Sequence, residues 1–329
     1  MKATSEHPYP EDFEEFMDWF DTEDKCREYL EWIRWPDGFK CPKCGCTEYS
    51  RTPSGLRRCK KCTFRSSVRT GTIFEDGHKR LRLWFHVMWL LMAQKTGMSA
   101  QNFHDAFGFG SYQTSWAWLQ KLRSVMIRPG REQLEGRIEV DETYIGGRKS
   151  GKRGRGAVGK TLVLVAVEGE NAMKIGRVRF RIASGATAAE LKQFVMDYVK
   201  PGSTVVTDGL KAYNFFDALA IKHEPYVMSK KRTDDIEGDA ESNLEHVHLV
   251  ISLVKRWLLG THQGSVTPHH LAGYLDEFAF RFNRRMSTHR GKLFYRLIQQ
   301  AVSTRGKSLK DYYSDPTAEV DLATEVAGK

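Results

Sequence analysis

Two Cys-x-x-Cys pairs, Cys41/Cys44 and Cys59/Cys62, stand with fourteen residues between them in "FKCPKCGCTEYSRTPSGLRRCKKCTFRSS" (39–67). Each such turn offers two sulfurs, and Zn²⁺ takes four in a tetrahedron, so two turns on neighbouring hairpins complete a site. Lys43, Gly45, Arg57, Arg58, Lys60 and Lys61 surround the cysteines and write no apolar core. Metal binding therefore has to organise the segment. The expectation is a zinc ribbon over 39–70, with a structural Zn²⁺ on Cys41, Cys44, Cys59 and Cys62. Four of the chain's six cysteines in one pattern fit metal binding in a reducing compartment better than a disulfide framework. Cys26 reads as a small buried side chain and Cys46 as a bystander.

The ribbon is also basic, in a chain of formal net charge +10. Arg57, Arg58, Lys60 and Lys61 suit contact with the phosphates of double-stranded DNA. The longest apolar run, "LWFHVMWLLMA" (83–93), is interrupted by His86 and falls short of the roughly 18 residues of a membrane span. The first residues are polar and acidic rather than a signal peptide, so no membrane is expected and the cytoplasm is the expected compartment. Residues 1–38 read as an acidic helical lead-in lying against the ribbon. Over 79–128 three helices follow: "RLRLWFHVMWLLMAQ", "SAQNFHDAF" opened by Ser99, and "SYQTSWAWLQKLRSVMI" opened by Ser111, with Gly108 and Gly110 between the last two. That is a helix-turn-helix layout. Its third helix would offer Gln113, Thr114, Ser115, Lys121 and Arg123 to DNA.

At Arg137 the pattern turns strand-like, with "RIEVDETYIGG", "TLVLVAVEG" and "KIGRVRFRIA". A helix ("TAAELKQFVMDYV"), a short apolar strand ("STVVTDG") and another helix ("KAYNFFDALA") come next. Three strands, helix, strand, helix is the order of an α/β RNase H-like sheet, here followed by a helical C-terminal part. Between the first two strands the loop 146–160 carries Arg148, Lys149, Lys152, Arg153, Arg155 and Lys160 among glycines and no acid, which favours nucleic-acid contact. Strand alternation sends Glu139, Asp141 and Thr143 to one face of the first strand. Asp208 closes the later one. If those two strands are neighbours, their carboxylates converge and can share divalent ions, as two-metal phosphoryl transfer requires.

"RWPDGFKCPKCG" (34–45), "EVDETYIGG" (139–147), "VVTDGLKAY" (205–213) and "LVKRWLLGTHQGSVTPHHLAGYLDEFAFRFNRR" (253–285) together resemble bacterial insertion-sequence transposases. These have a zinc ribbon, a helix-turn-helix and an RNase H-like DDE-type domain, and are relatives of the Merlin transposons. The resemblance covers nearly the whole chain, with 137–290 as the catalytic domain and 306–329 as a polar tail. It implies cleavage and joining of DNA at the inverted ends of an element and in a target, dependent on Mg²⁺ or Mn²⁺, with Asp141 and Asp208 as the first two metal ligands. Many members place a glutamate seven residues before the lysine of the last motif. Here that lysine is Lys255 and the position holds His248, an Asp-Asp-His variant. The competing third ligand is Glu245, which "SNLE" (242–245) writes into a capping box under Ser242. His248 and Lys255 lie two turns apart on one helical face, so His248 can turn to metal while Lys255 and Arg256 turn to DNA. Imidazole is softer than carboxylate and shifts preference toward Mn²⁺. Joining two ends calls for a homodimer on DNA, associated with the nucleoid when acting. The rivals are a DNA-binding regulator with an inactive RNase H-like domain and a plain nuclease.

Overall fold

The computed structural model describes residues 2–53, 55–75, 77, 79–128, 130–146, 160–169, 174–226, 244–264, 266–306 and 311. Two compact units divide the chain: Met1–Arg128 with Met286–Lys329, and Pro129–Arg285.

In the first unit, α1 (Phe13–Trp19) and α2 (Glu23–Arg34) open at Asp12 and Thr22, whose side-chain oxygens accept the N–H groups of Glu15 and Lys25. The ribbon follows as an antiparallel sheet of β1 (Tyr49–Arg51), β2 (Arg57–Cys59) and β3 (Arg65–Ser66). Contrary to the sequence expectation it has a small core, in which Phe39, Cys41 and Cys59 are packed by Trp35, Tyr49 and Phe64. Those aromatic residues are scattered singly among charges, so no apolar run announces them. Apolar almost all round, α3 (Leu81–Ala93) buries Leu81, Trp84, Phe85, Val87, Met88, Trp89, Leu91 and Met92. α4 (Ala100–Phe107) opens at Ser99 and ends on Gly108 at a φ of 59°, the left-handed conformation that glycine adopts without strain. α5 (Tyr112–Arg123) opens at Ser111.

Patterning assigns no element between Arg285 and the tail, yet α9 (Gly291–Ser303) lies there and returns to the first unit. Its apolar stripe of Leu293, Phe294, Leu297, Ile298, Ala301 and Val302 packs on α2 and α3. The Phe294 ring stands 5.5 Å from Phe16, 5.6 Å from Phe85, and 5.7 Å from both Phe20 and Trp89. At Gly291 a Cβ would overlap the carbonyl oxygen of Pro10, so only glycine lets the helix approach. Phe294→Ala is therefore expected to destabilise this unit by about 3–5 kcal/mol, read as an earlier unfolding transition in denaturant with the second unit's transition unmoved.

The second unit is built on a five-stranded sheet of order β6-β5-β4-β7-β8. β4 (Arg137–Ile145), β5 (Thr161–Gly169) and β6 (Ile175–Ala183) form an antiparallel meander. After α6 (Ala188–Tyr198), β7 (Thr204–Asp208) comes in parallel to β4 on its other side. The expected second helix is a 3-10 run, Lys211–Ala218. Beyond it β8 (Lys222–Tyr226) adds a parallel edge strand that patterning did not predict. Charged residues and Pro225 obscure it, and an edge is where a sheet tolerates proline. One face of the sheet packs Val163, Val165, Val167 and Val206 against α7 (Glu245–His262) and α8 (Pro268–Phe282). On the other face Ile138, Val140, Leu164 and Ala166 meet Leu191, Phe194, Tyr213 and Phe216. Among the described residues no helix is long and apolar enough to cross a membrane.

Candidate active site and metal centre

The four cysteines of the ribbon bring their sulfurs within 4.8 Å of one another. Cys41 Sγ lies 3.6 Å from Cys62 Sγ, and Cys44 Sγ 3.6 Å from Cys59 Sγ. Sulfurs on a tetrahedron with Zn–S near 2.3 Å sit roughly 3.8 Å apart, whereas a disulfide needs about 2.05 Å. The quartet thus fits a structural Zn²⁺. Each knuckle closes through a left-handed residue, Gly45 at a φ of 71° and Thr63 at 56°. Their N–H groups donate to the Cys41 and Cys59 carbonyls at 2.8 and 3.0 Å. The thiols share their protons: the backbone N–H of Cys62, aided by that of Lys61 and by neighbouring thiols, pulls Cys59 down, while at Cys44 the Cys46 N–H is outweighed by hydrogen bonds from Cys62, Cys59 and Cys41, which push it up. Cys46 lies outside the quartet.

Arg57 does not serve as a surface cation. It is 5% exposed, its guanidinium lies 4.4 Å from the Trp35 ring, and it donates to Glu31 Oε1 at 2.6 Å. Strand alternation turns it inward, where an arginine plane stacks well on aromatic rings. Arg58, Lys60 and Lys61 are exposed, and Lys60 pairs with Glu48 at 3.3 Å. On α5, Gln113 is exposed while Thr114 and Lys121 are half-buried. Ser115 and Arg123 are buried, against the expectation that they face DNA, because the helix turns them to its packed side. Arg148, Lys149 and Arg153 lie outside the described residues.

The second constellation belongs to the sheet. β4 and β7 are neighbours in parallel register, with Arg137 opposite Thr204, Ile138 opposite Val205 and Glu139 opposite Val206. The paired register ends there, with Asp141 two residues beyond it on β4 and Asp208 two residues beyond it on β7, close enough for the Asp208 charge to act on Asp141. Burial lifts the Asp141 carboxyl above the usual aspartate range, and the Asp208 charge pushes the same way, against the Glu142 N–H and the His248 imidazole. His248 Nε2 stands 3.3 Å from Asp141 Oδ2. Asp208 Oδ1 accepts the Leu210 N–H at 3.2 Å. Among the described residues only the cysteine quartet gathers three or more ligand atoms within 4.8 Å of one another, so Asp141, Asp208 and His248 form a more open set. Two carboxylates with an imidazole are a donor set for a divalent cation such as Mn²⁺.

Glu245 is the first residue of α7 and is exposed. The N-cap of the helix is Leu244, which makes no side-chain cap hydrogen bond, and the expected capping box falls on Ser242, outside the described residues. Two turns along α7 from His248, Lys255 and Arg256 are exposed. Desolvation and the charge of Lys160 lower the Lys255 ammonium, while the Asp141 carboxylate opposes them. Three further residues surround the site without having been singled out for a role. Tyr213 is buried, donates to Glu142 Oε2 at 3.3 Å, and stays protonated because burial and the charges of Glu142, Asp141 and Asp208 hold its phenol well above 10. Glu139 and His246 pair in the interior at 2.7 Å. Alternation places Glu139 on the face of Asp141, but no spacing rule connects it to a residue more than a hundred positions away.

Residues 133–283 match the family model of an ISXO2-like transposase domain, and residues 21–64 that of a transposase zinc-ribbon domain. Together the matches cover more than half of the chain. An uncharacterized protein in transposable element ISH50 of Halobacterium salinarum is 29% identical over 279 residues, which is 80% of this chain and 91% of that protein.

Proposed function

We propose that this chain, which belongs to the insertion-sequence transposases, binds the inverted ends of its element and catalyses metal-dependent cleavage and transfer of DNA strands. The observation that carries the reading is the parallel pairing of β4 with β7, the strands that bear Asp141 and Asp208, with His248 3.3 Å from Asp141. A sheet of three antiparallel strands continued by two parallel ones, with its acidic residues on the central pair, supports an RNase H-like catalytic domain. Asp141, Asp208 and His248 would hold Mg²⁺ or Mn²⁺. When bound, such ions neutralise the phosphate and favour in-line attack by water or by a DNA 3′-hydroxyl. The chain itself supplies position and charge. Half-buried carboxylates at the end of β7 and within β4 define where the scissile phosphate sits, and Lys255 and Arg256 give it positive charge one face along α7. Tyr213, kept neutral, fixes Glu142 behind the site. In the first unit, Arg58, Lys60 and Lys61 on the ribbon and Gln113, Thr114 and Lys121 on α5 would hold duplex DNA. Arg148, Lys149 and Arg153 would add phosphate contacts from the 146–160 loop. Pairing two ends requires a homodimer on DNA, and the work would be done in the bacterial cytoplasm at the nucleoid.

The test is incubation of the purified protein with DNA bearing its own element ends and either Mg²⁺ or Mn²⁺, followed on a sequencing gel. Metal-dependent cuts at the ends together with joined products are expected. Binding without any cut in either metal would favour a DNA-binding regulator with an inactive domain. Cutting that ignores the ends and never joins would mark a plain nuclease.

A further inference from the structure

We propose that Glu139 is a positioning residue, clamping the first turn of α7 to the central strand and thereby setting where His248 stands against Asp141. This rests on the reading of Asp141, Asp208 and His248 as metal ligands. The first N–H groups of any helix lack partners within it, and the Leu244 N-cap of α7 offers no side-chain cap hydrogen bond. Glu139 provides one from the sheet. Its Oε2 accepts the Val247 N–H at 2.8 Å and its Oε1 accepts from His246 Nδ1 at 2.7 Å. Both side chains are interior, Glu139 being 4% exposed and His246 7%. A carboxylate in that place also meets the positive end of the helix dipole. The His246 ring lies against Gly169 at the end of β5, where a Cβ would overlap Nδ1. Three elements thus meet at one buried pair.

The geometry transmits the clamp to the site by short steps. Glu139 and Asp141 are two residues apart on one face of β4, and His246 and His248 are two residues apart in the first turn of α7. The His248 N–H closes that turn on the Leu244 carbonyl at 3.1 Å. Holding 246 and 247 to residue 139 therefore holds 248 beside residue 141. The His248 side chain is 54% exposed, so little packing fixes it and its backbone decides where the imidazole can reach.

The experiment is calorimetric titration of the full chain with Mn²⁺, run beside strand cleavage, zinc analysis and thermal melting. Glu139→Ala is expected to weaken Mn²⁺ binding about 10–100-fold and to slow cleavage about 10²-fold, with zinc content and DNA binding unchanged. Glu139→Gln should stay within roughly threefold of wild type, since its amide oxygen still accepts from Val247 and its amino group can donate to His246. A folded Glu139→Ala with wild-type Mn²⁺ affinity overturns the proposal. If that variant does not fold, Glu139→Asp replaces it, keeping the charge but drawing the carboxylate back by one methylene; weakened Mn²⁺ binding supports the clamp and unchanged binding overturns it. A wild type whose Mn²⁺ binding is absent, or survives Asp141→Asn, overturns the metal-ligand reading and the clamp with it, an outcome distinct from either of the others.

Discussion

His248→Ala is expected to abolish both cleavage and joining, a loss on the order of 10³-fold or more, while zinc content and duplex binding persist. Charge stabilisation by a bound divalent ion is worth several kcal/mol of barrier, and each 1.36 kcal/mol is tenfold in rate. Asp141→Asn and Asp208→Asn should fail alike. His248→Glu should retain activity and shift its preference toward Mg²⁺, because a hard oxygen replaces imidazole on the same side of α7. Glu245→Ala should leave chemistry intact, since Glu245 is exposed at the opening of the helix and its charge there is worth only about 0.3–1 kcal/mol. Single-turnover assays on end-bearing DNA in both metals measure the whole series. An inactive Glu245→Ala beside an active His248→Ala would transfer the ligand role to Glu245.

Stripping zinc with a chelator under reducing conditions is expected to unfold the ribbon. Apparent binding energies of about 10–16 kcal/mol are folding energy for a module of this kind. The aromatic group of Trp35, Phe39, Tyr49 and Phe64, with Arg57 stacked among them, is too small to replace that, although it orients the sheet on α2. One zinc per chain is expected by elemental analysis, and Cys59→Ser should lose it. Amide signals of β1–β3 should collapse on chelation while those of β4–β8 stay. Ribbon signals unaltered after complete zinc removal would show that the aromatic core suffices.

The metal knuckles, the Ser99 and Ser111 caps and the strands β4 to β7 were legible because each is a local pattern: a spacing, a cap before an apolar period, an alternation. Asp141 and Asp208 drew attention for the same reason, one an acid in mid-strand and the other an acid closing an apolar strand. What escaped depends on distant contacts. β8 reads as a charged loop until β7 is there to pair with it. Arg57 looks like one more surface cation until Trp35 and Glu31 enclose it. Ser115 and Arg123 sit on a helix whose polar and packed sides are not cleanly divided in sequence. α9 has a clear apolar stripe, but lying beyond the last recognised motif it had no partner in view. Glu139 and His246 are joined only by the fold.

The return of α9 to the first unit has a consequence for synthesis. Chains emerge from the ribosome N-terminus first, so α1 to α5 are made long before Phe294 exists to fill the space between Phe16, Phe20, Phe85 and Trp89. Until residue 303 has been translated, the first unit lacks a wall of its interior. A message cut short, or a frameshift anywhere within β4 to α8, leaves a product whose N-terminal half cannot close. Completion of the chain and closure of its first unit are thereby one event.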